Sequence, residues 1–174
     1  MIYFVRHGET DFNLFNISQG QLDTSLNETG IKQAKTIAKK LKDKNFYVIF
    51  CSSLKRARQT LYEIKKYHHC KIFFDNRLME VSKGILQGKK NKQEDYEKFF
   101  KNPHAYGGET EEDVCKRVYS FLNDIKKYKN KNILIVGHGG IHKYLDFCLK
   151  NKDITKDKLV LTSMRNCEIA KFKF

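Results

Sequence analysis

The chain has 174 residues, 40% of them hydrophobic, which is enough for one core and leaves little room for a second domain. This composition excludes a disordered tail. The formal charge of +14 favours anionic partners, but only six of the 34 basic residues are Arg, and the Lys residues are scattered along every predicted helix. We therefore interpret the charge as a solvated surface and expect no nucleic-acid partner.

The cysteine pattern and the residues at the N-terminus favour a cytoplasmic location. Five Cys residues, odd in number and widely spaced, predict buried thiols in a reducing environment rather than disulfides. The apolar run at residues 2–5 is too short for a signal peptide or a membrane span. We expect a cytoplasmic protein with no membrane partner, and the sequence leaves the oligomeric state open.

Strand patterns occur at five places along the chain. Continuous apolar runs predict buried strands at residues 2–5, 46–50, 72–74 and 133–136. The alternation at residues 167–174 predicts an edge strand.

Helical patterns lie between these strands. Asn27 is placed to cap the first helix, and a further helix is expected to start after the pair Gly139-Gly140. The predicted apolar stripes are Ile31, Ala34, Ile37 and Leu41; Leu54, Leu61 and Ile64; Val114, Val118, Phe121, Ile125 and Tyr128; and Leu145 and Leu149. Residues 82–108, rich in Gly and charge, predict a lid-like excursion with one short helix at 95–100. The alternation of strands and helices predicts a single α/β domain whose sheet is covered on both faces.

Basic residues follow the strands at their carboxyl ends, where open α/β sheets bind ligands. Arg6 and His7 follow the first strand, Arg56 the second, and His138 the fourth. Arg guanidiniums and glycine N–H groups, such as that of Gly139, suit phosphate oxygens. A neutral His7 is a competent nucleophile, and His138, if protonated, would balance the negative charge of a transferring phosphoryl group.

An acid for the leaving oxygen completes this chemistry. Glu80, after the third strand, is the best-placed candidate for a proton donor. Lys83, Lys89, Lys90 and Lys92 either attract an anionic substrate over the site or are merely solvated. His138 and His142 have the spacing of a helical zinc site, but no third ligand is evident, and we favour a site without metal.

An ordered series of blocks resembles the histidine phosphatase superfamily, which includes the phosphoglycerate mutases. The blocks are Arg6-His7-Gly8-Glu9-Thr10 with Asn13; Ser25-Leu26-Asn27-Glu28-Thr29-Gly30 with Gln33-Ala34; residues 52–60; Leu78-Met79-Glu80 with Gly84 and Gly88; Gly107-Gly108-Glu109-Thr110; and Val136-Gly137-His138-Gly139-Gly140. The resemblance spans nearly the whole chain. It implies a three-layer α/β/α sandwich with a mostly parallel sheet.

The resemblance also implies the roles of individual residues. His7 would be the nucleophile, and Arg6, Arg56 and His138 would line the phosphate pocket, with Asn13 as a further contact. Glu80 would donate a proton and later activate water. No metal or organic cofactor is implied. Apart from the resemblance, we expect Glu9 to form a hydrogen bond within its loop, a structural role, and Arg58 to be structural or a contact at the rim of the site.

Two features place the chain within this family. Gln87 stands where many relatives have an acidic residue after Trp, and this chain has no Trp. The stretch between the Glu80 and Glu109 blocks is shorter than in the mutases, which favours a phosphatase that hydrolyses a small anionic phosphorylated metabolite, either α-ribazole phosphatase-like or of broad specificity. A phosphoglycerate mutase and a non-catalytic phosphate-binding module are the alternatives.

Overall fold

Five strands form one central sheet in the computed structural model, which describes residues 1–150 and 164–174. The strands are β1 (Ile2–Arg6), β2 (Val48–Cys51), β3 (Lys71–Phe74), β4 (Ile133–Gly137) and β5 (Ile169–Phe172). Their order across the sheet is β3-β2-β4-β1-β5. All neighbours are parallel except β5, which runs antiparallel to β1. The mostly parallel sheet and the C-terminal edge strand confirm the prediction.

Helices cover both faces of this sheet. The helices of the described residues are α1 (Asp11–Leu14), α2 (Glu28–Leu41), α3 (Lys55–Ile64), α4 (Gln93–Lys101), α5 (Glu111–Ile125) and α6 (Gly139–Leu149), of which α2, α3, α5 and α6 pack on the sheet. One core cluster joins α2 and α3 to one face of β1, β2 and β4, and a second cluster joins α5 and α6 to the other face. Because both faces of the central strands are covered, these strands consist of nearly continuous apolar residues. The α/β sandwich is thereby confirmed.

Four details differ from the sequence-based expectations. Strand β2 begins at Val48, although Phe46 before it is buried. Strand β3 is an edge strand, and its Phe73 and Phe74 are exposed. Ile31 is exposed because Gly30 occupies the buried face of α2. Tyr128 lies beyond the end of α5, in a short 3₁₀ turn.

The excursion at residues 82–108 folds against the first loop of the chain. Its helix α4 is longer than predicted, and Phe99 on it is buried. The Ser18 N–H donates to the Lys89 carbonyl (2.9 Å), and the Gly88 N–H donates to the Ser18 carbonyl (2.7 Å). These backbone hydrogen bonds hold the excursion beside the carboxyl end of β1.

The cysteines are all free thiols. Cys51, Cys115 and Cys148 are buried as predicted, whereas Cys70 and Cys167 are only half-buried. Among the described residues, no helix combines the length and the apolar character needed to cross a bilayer.

The loop after β1 packs directly on α2 through two glycines. The Asn27 side chain caps α2 by accepting from the Gly30 N–H (2.8 Å) and donates to Glu9 Oε1 (3.0 Å). Glu9 therefore has the structural role expected of it. A Cβ on Gly30 would overlap the Glu9 carbonyl oxygen, and one on Gly8 would lie 2.5 Å from the Gly30 oxygen. The loop that carries His7 can therefore approach α2 this closely only because Gly8 and Gly30 have no side chain.

We expect Gly30→Ala to destabilise the protein by about 1–3 kcal/mol, because the added methyl group forces the loop away from α2. Glycine-to-alanine changes inside helices ordinarily stabilise by up to about 1 kcal/mol, so the sign itself is informative. Urea unfolding measures the change in unfolding free energy. Lys35→Ala, at an exposed position of the same helix, is the control, and a stabilised Gly30→Ala protein would contradict the packing described here.

Candidate active site

The carboxyl ends of the parallel strands open into one cavity of about 290 Å³. Its wall includes six residues that the sequence analysis placed in or next to the site: Arg6, His7, Asn13, Arg56, Glu80 and Gly140. A cavity of this size is at the lower end of those that hold small-molecule ligands. The topology therefore brings together residues that are far apart in the chain.

His7 is buried and held in one tautomer. Its Nδ1 lies 2.7 Å from the Gly8 carbonyl oxygen, which can only accept, so Nδ1 carries the proton. Nε2 keeps its lone pair and accepts a hydrogen bond from Arg56 Nε (3.3 Å). Burial lowers the pKa of His7 well below its usual value, and the charges of Arg56 and Arg6 lower it further. The site thus presents a neutral imidazole whose Nε2 lone pair carries no proton and accepts only the hydrogen bond from Arg56.

Arg56 is completely buried, and backbone carbonyls rather than carboxylates hold it. Its Nη1 donates to the Leu22 carbonyl and its Nη2 to the Gly20 carbonyl, both at 2.7 Å. Burial lowers the pKa of Arg56 to about 10, so it remains charged at neutral pH. Its positive charge is therefore available to an anion.

Arg6 approaches the site from β1. Its Nη1 donates to the Met164 carbonyl, while its buried Nε has no hydrogen-bond partner among the residues described. Burial lowers the pKa of Arg6. A Cβ on Gly139 would lie 3.4 Å from Arg6 Nε, so this glycine leaves room for the guanidinium. Gly140 rather than Gly139 forms the cavity wall, and the substrate contact assigned to Gly139 stays a prediction.

His138 lies against His7, with ring centroids 5.1 Å apart. It is completely buried and is not itself one of the residues of the cavity wall. Its Nε2 lies 2.8 Å from Ser52 Oγ, and its Nδ1 has no partner in the part of the chain that the structure describes. Burial, followed by the charge of Arg56, lowers the pKa of His138 well below its usual value. His138 is therefore neutral in the free site, and the protonated form considered in the sequence analysis requires the arrival of an anion, which raises this pKa.

Glu80 is held at the N-terminus of α6. Its Oε1 accepts from the Val81 N–H (2.9 Å), and its Oε2 accepts from the Gly140 N–H (3.1 Å). Helix N-termini favour negative groups. A Cβ on Gly140 would overlap Glu80 Oε1, so only glycine permits this approach.

Asn13 also faces the cavity as predicted. Its Oδ1 accepts from the Thr10 N–H (3.2 Å) and from Asn166 Nδ2 (3.3 Å). Its amide nitrogen has no partner among the described residues and is free to donate to a ligand. Arg58, by contrast, lies outside the cavity wall and pairs loosely with Asp23 at 3.8 Å.

Arg117, which the sequence patterns did not identify, fixes the segment carrying Glu80. Arg117 forms an ion pair with Glu109 at 2.7 Å, and its Nη1 donates to the carbonyls of Arg77 (2.6 Å) and Met79 (2.8 Å). Its Nη2 donates to the Glu80 carbonyl (3.3 Å). An Arg inside the apolar stripe of α5 was the only available signal, and it does not specify these partners.

Gln87 bridges two loops instead of lining the cavity. Its Oε1 accepts from the N–H groups of Gln21 (2.8 Å) and Lys83 (3.2 Å). Gln21 in turn donates through Nε2 to the Glu80 carbonyl (3.1 Å). The departure from the family pattern at Gln87 therefore affects the contacts between these loops rather than the cavity wall.

The four lysines of the excursion separate into two groups. Lys83 is half-buried and lines the cavity. Lys89, Lys90 and Lys92 are exposed and lie outside its wall. Further wall residues that the sequence analysis did not identify are Tyr96, Phe100, Glu111, Lys143 and Tyr144.

His138 and His142, which have the spacing of a helical zinc site, lie in different surroundings. His138 contacts Ser52, whereas the ring of His142 packs between Phe4 (5.6 Å) and Phe172 (5.5 Å). Within residues 1–150 and 164–174, no group of three or more His, Cys, Asp or Glu residues is arranged to hold a metal ion.

Comparisons with known proteins agree with this geometry. The family model described as the histidine phosphatase superfamily (branch 1) matches residues 2–174. Phosphoserine phosphatase 1 of Hydrogenobacter thermophilus is 30% identical over 165 residues, which cover 89% of this chain and 78% of that protein.

Solved structures are similar over nearly the whole chain. A mycobacterial glucosyl-3-phosphoglycerate phosphatase, solved with VO3, superposes with a TM-score of 0.84 at 27% identity, covering 97% of this chain and 88% of that one. A phosphoserine phosphatase from Entamoeba histolytica, solved with 3-phosphoglyceric acid, gives a TM-score of 0.78 at 28% identity, covering 97% and 87% of the two chains.

The buried neutral histidines predict an acid-sensitive fold. Because the folded-state pKa values of His7 and His138 lie below those of the unfolded chain, the unfolded chain binds more protons as the pH falls below about 6.5. Their stabilisation is complete above that pH and is lost below it. Each histidine should contribute a loss of about 1 kcal/mol of unfolding free energy between pH 7 and 5.5.

Urea unfolding at several pH values measures this effect. The His138→Gln protein should lose about 1 kcal/mol less than the wild type over this range. His69→Gln, at an exposed position, should keep the wild-type pH dependence. A pH dependence unchanged by His138→Gln would contradict the neutral state assigned to His138.

Proposed function

The chain belongs to the histidine phosphatase superfamily and is a phosphatase, and we propose that it hydrolyses small phosphomonoesters through a phosphohistidine formed on His7. The site residues converge around His7 Nε2, whose lone pair faces Arg56. A neutral imidazole with a fixed tautomer is suited to nucleophilic attack on phosphorus.

One observation carries this proposal: two buried nitrogens beside His7 have no hydrogen-bond partner within residues 1–150 and 164–174. They are Arg6 Nε and His138 Nδ1. In the tautomer in which the Ser52 hydroxyl donates to His138 Nε2, Nδ1 carries a proton, so both nitrogens are donors. A buried donor without a partner costs about 1–3 kcal/mol, and a tetrahedral oxyanion that reaches both would remove this cost.

In the first step, the phosphate takes the hydrogen bond that Arg56 gives to His7 in the free site. The Nε2 lone pair of His7 attacks phosphorus, the ester P–O bond breaks, and Glu80 donates a proton to the departing oxygen. Arg6 and Arg56 offset the negative charge on the phosphoryl oxygens.

In the second step, Glu80 has become a carboxylate and accepts a proton from water. The water oxygen attacks phosphorus, the P–N bond breaks, and inorganic phosphate and neutral His7 are regenerated. The ion pair of Arg117 with Glu109 holds the backbone on both sides of Glu80. We assign Arg117 a positioning role in both steps.

The cavity volume of about 290 Å³ supports a small phosphorylated metabolite as the substrate. Relatives named for phosphoserine and glucosyl-3-phosphoglycerate make phosphorylated acids the first compounds to assay. An α-ribazole phosphatase-like or broad specificity stays a prediction that a substrate panel can decide. Interconversion of 3- and 2-phosphoglycerate faster than phosphate release would replace hydrolysis by the mutase alternative.

We further propose that the enzyme acts in the cytoplasm on free anionic metabolites, without nucleic-acid or membrane partners. Five free thiols are in keeping with a reducing compartment. Cell fractionation with an antibody against the chain tests the location.

We expect His7→Ala to lower kcat for p-nitrophenyl phosphate by about 1,000-fold or more, because the covalent route is lost. Rapid quenching of the wild type with a labelled phosphomonoester should trap an acid-labile, base-stable phosphoenzyme that the variant lacks. His69→Ala is the matched control. Equal rates for the wild type and His7→Ala would favour the non-catalytic binding module instead.

We expect Glu80→Gln to lower kcat for alkyl phosphates by about 100-fold or more and kcat for aryl phosphates far less, because aryl leaving groups need little protonation. Steady-state kinetics on glycerol 3-phosphate and p-nitrophenyl phosphate measure the difference. An equal loss on both esters would remove Glu80 from the acid role.

Gly140→Ala provides an independent probe of the same acid. The added methyl group displaces the Glu80 carboxylate, so the variant should show the same selective loss on alkyl esters. In the Glu80→Gln/Gly140→Ala double variant the losses should not add, because both act on one group.

A further inference from the structure

We propose that Lys83 and Lys143 bind a second anionic group of the substrate, a carboxylate, inside the same cavity as His7. The substrate class is then a phosphomonoester of a small hydroxy acid. This inference rests on the proposed phosphatase function and adds the residues that select the substrate.

Lys83 is held on the cavity wall by aromatic rings. Its Nζ lies 4.6 Å from the ring centroid of Phe100, 4.7 Å from that of Phe99 and 5.3 Å from that of Tyr96. Ring faces attract an ammonium group within about 6 Å. The rings fix the position of the charge without neutralising it, so the ammonium can still attract an anion.

Among the described residues, neither Lys83 nor Lys143 has an ion-pair partner within 4 Å. Burial lowers the pKa of Lys83, and the nearby charge of Lys143 lowers it further against the opposing effect of Glu80. Two lysines that repel each other on one wall would be stabilised by an anion between them.

The charge balance of the cavity also favours a second anionic group. Four cationic side chains line the wall (Arg6, Arg56, Lys83 and Lys143) against two carboxylates (Glu80 and Glu111). When Glu80 carries the proton needed for the first step, this wall has a net charge of +3. A phosphate dianion supplies −2, and a carboxylate on the same substrate supplies the remaining −1.

Lys83 and Lys143 lie on the two chain segments that position Glu80, the proposed acid. Lys83 follows Glu80 by three residues, and Lys143 follows Gly140, whose N–H holds the Glu80 carboxylate, by three residues on α6. A substrate carboxylate bound by the lysines would therefore be positioned by the same two segments that position the proton donor.

Two pairs of esters that differ in a carboxylate provide the test. 3-Phosphoglycerate and glycerol 3-phosphate differ only in a carboxylate against a hydroxymethyl group, and phosphoserine and phosphoethanolamine differ only by a carboxylate. Phosphate release by the wild type should show a kcat/KM about tenfold or more higher for the carboxylate-bearing member of each pair. Lys83→Met keeps an apolar stem among the rings and should reduce this preference at least about tenfold, mainly through KM.

Control variants separate this binding role from a structural one. Lys83→Arg keeps the charge and should retain part of the preference. Lys89→Met, which removes an equal charge outside the cavity, should leave it unchanged. With Lys83→Met, kcat/KM for glycerol 3-phosphate and p-nitrophenyl phosphate should fall much less than kcat/KM for the carboxylate-bearing esters, because the former two lack the group that Lys83 is proposed to bind.

The proposal is overturned if the wild type shows no preference within the pairs, or if Lys83→Met slows both members of each pair equally. Should Lys83→Met fail to fold, as judged by circular dichroism, Lys143→Met carries the same test, and an unchanged preference in that variant overturns the proposal. Failure of the phosphatase function would look different, because the wild type would then release no phosphate from any ester, p-nitrophenyl phosphate included.

Discussion

The site depends on holding the buried guanidinium of Arg56 and the partly buried one of Arg6 beside a neutral histidine, with no carboxylate of the described residues within ion-pair distance of either. Backbone carbonyls hold Arg56 and Arg6 instead. Carbonyl oxygens satisfy N–H donors without removing the positive charge, which Glu80 offsets only in part, so the charge acts on whatever enters the cavity. The same charges, together with burial, keep His7 unprotonated and therefore nucleophilic. One arrangement thus prepares both the anion site and the nucleophile.

The positions of Arg56 and Glu80 are set by contacts with loops rather than with strands. The segment from Gly20 to Thr24 surrounds Arg56, and Gln21 links that segment to the Glu80 carbonyl. Glycines permit the closest approaches, because Gly30 admits the loop after β1 and Gly140 admits the Glu80 carboxylate. The glycines in the recognisable blocks of the sequence therefore have packing roles that their motifs alone do not reveal.

The sequence was sufficient for those residues whose positions follow from sheet topology. Arg6, His7, Arg56 and His138 meet because the carboxyl ends of parallel strands share one edge. Arg117 and Lys143 could not be found in this way, because a helix periodicity does not say which loop a polar residue contacts. Lys83 was recognised only as one of four lysines, since the folding of the excursion decides which of them reaches the cavity. The sequence patterns also predicted that Ile31 and strand β3 would be buried, whereas both are exposed, because tertiary neighbours decide burial.

Glu80 and the proposed carboxylate subsite are held by the same two chain segments. Lys83 and Glu80 share a segment that Arg117 holds by its backbone carbonyls, and α6 supplies both the N–H that orients Glu80 and the side chain of Lys143. A substrate anchored by its phosphate at one point and by a carboxylate at another has little freedom to rotate. Its ester oxygen is then fixed relative to Glu80, and such restriction of the reacting groups lowers the entropic barrier to proton transfer. In this site, substrate recognition and acid catalysis would therefore depend on the same backbone.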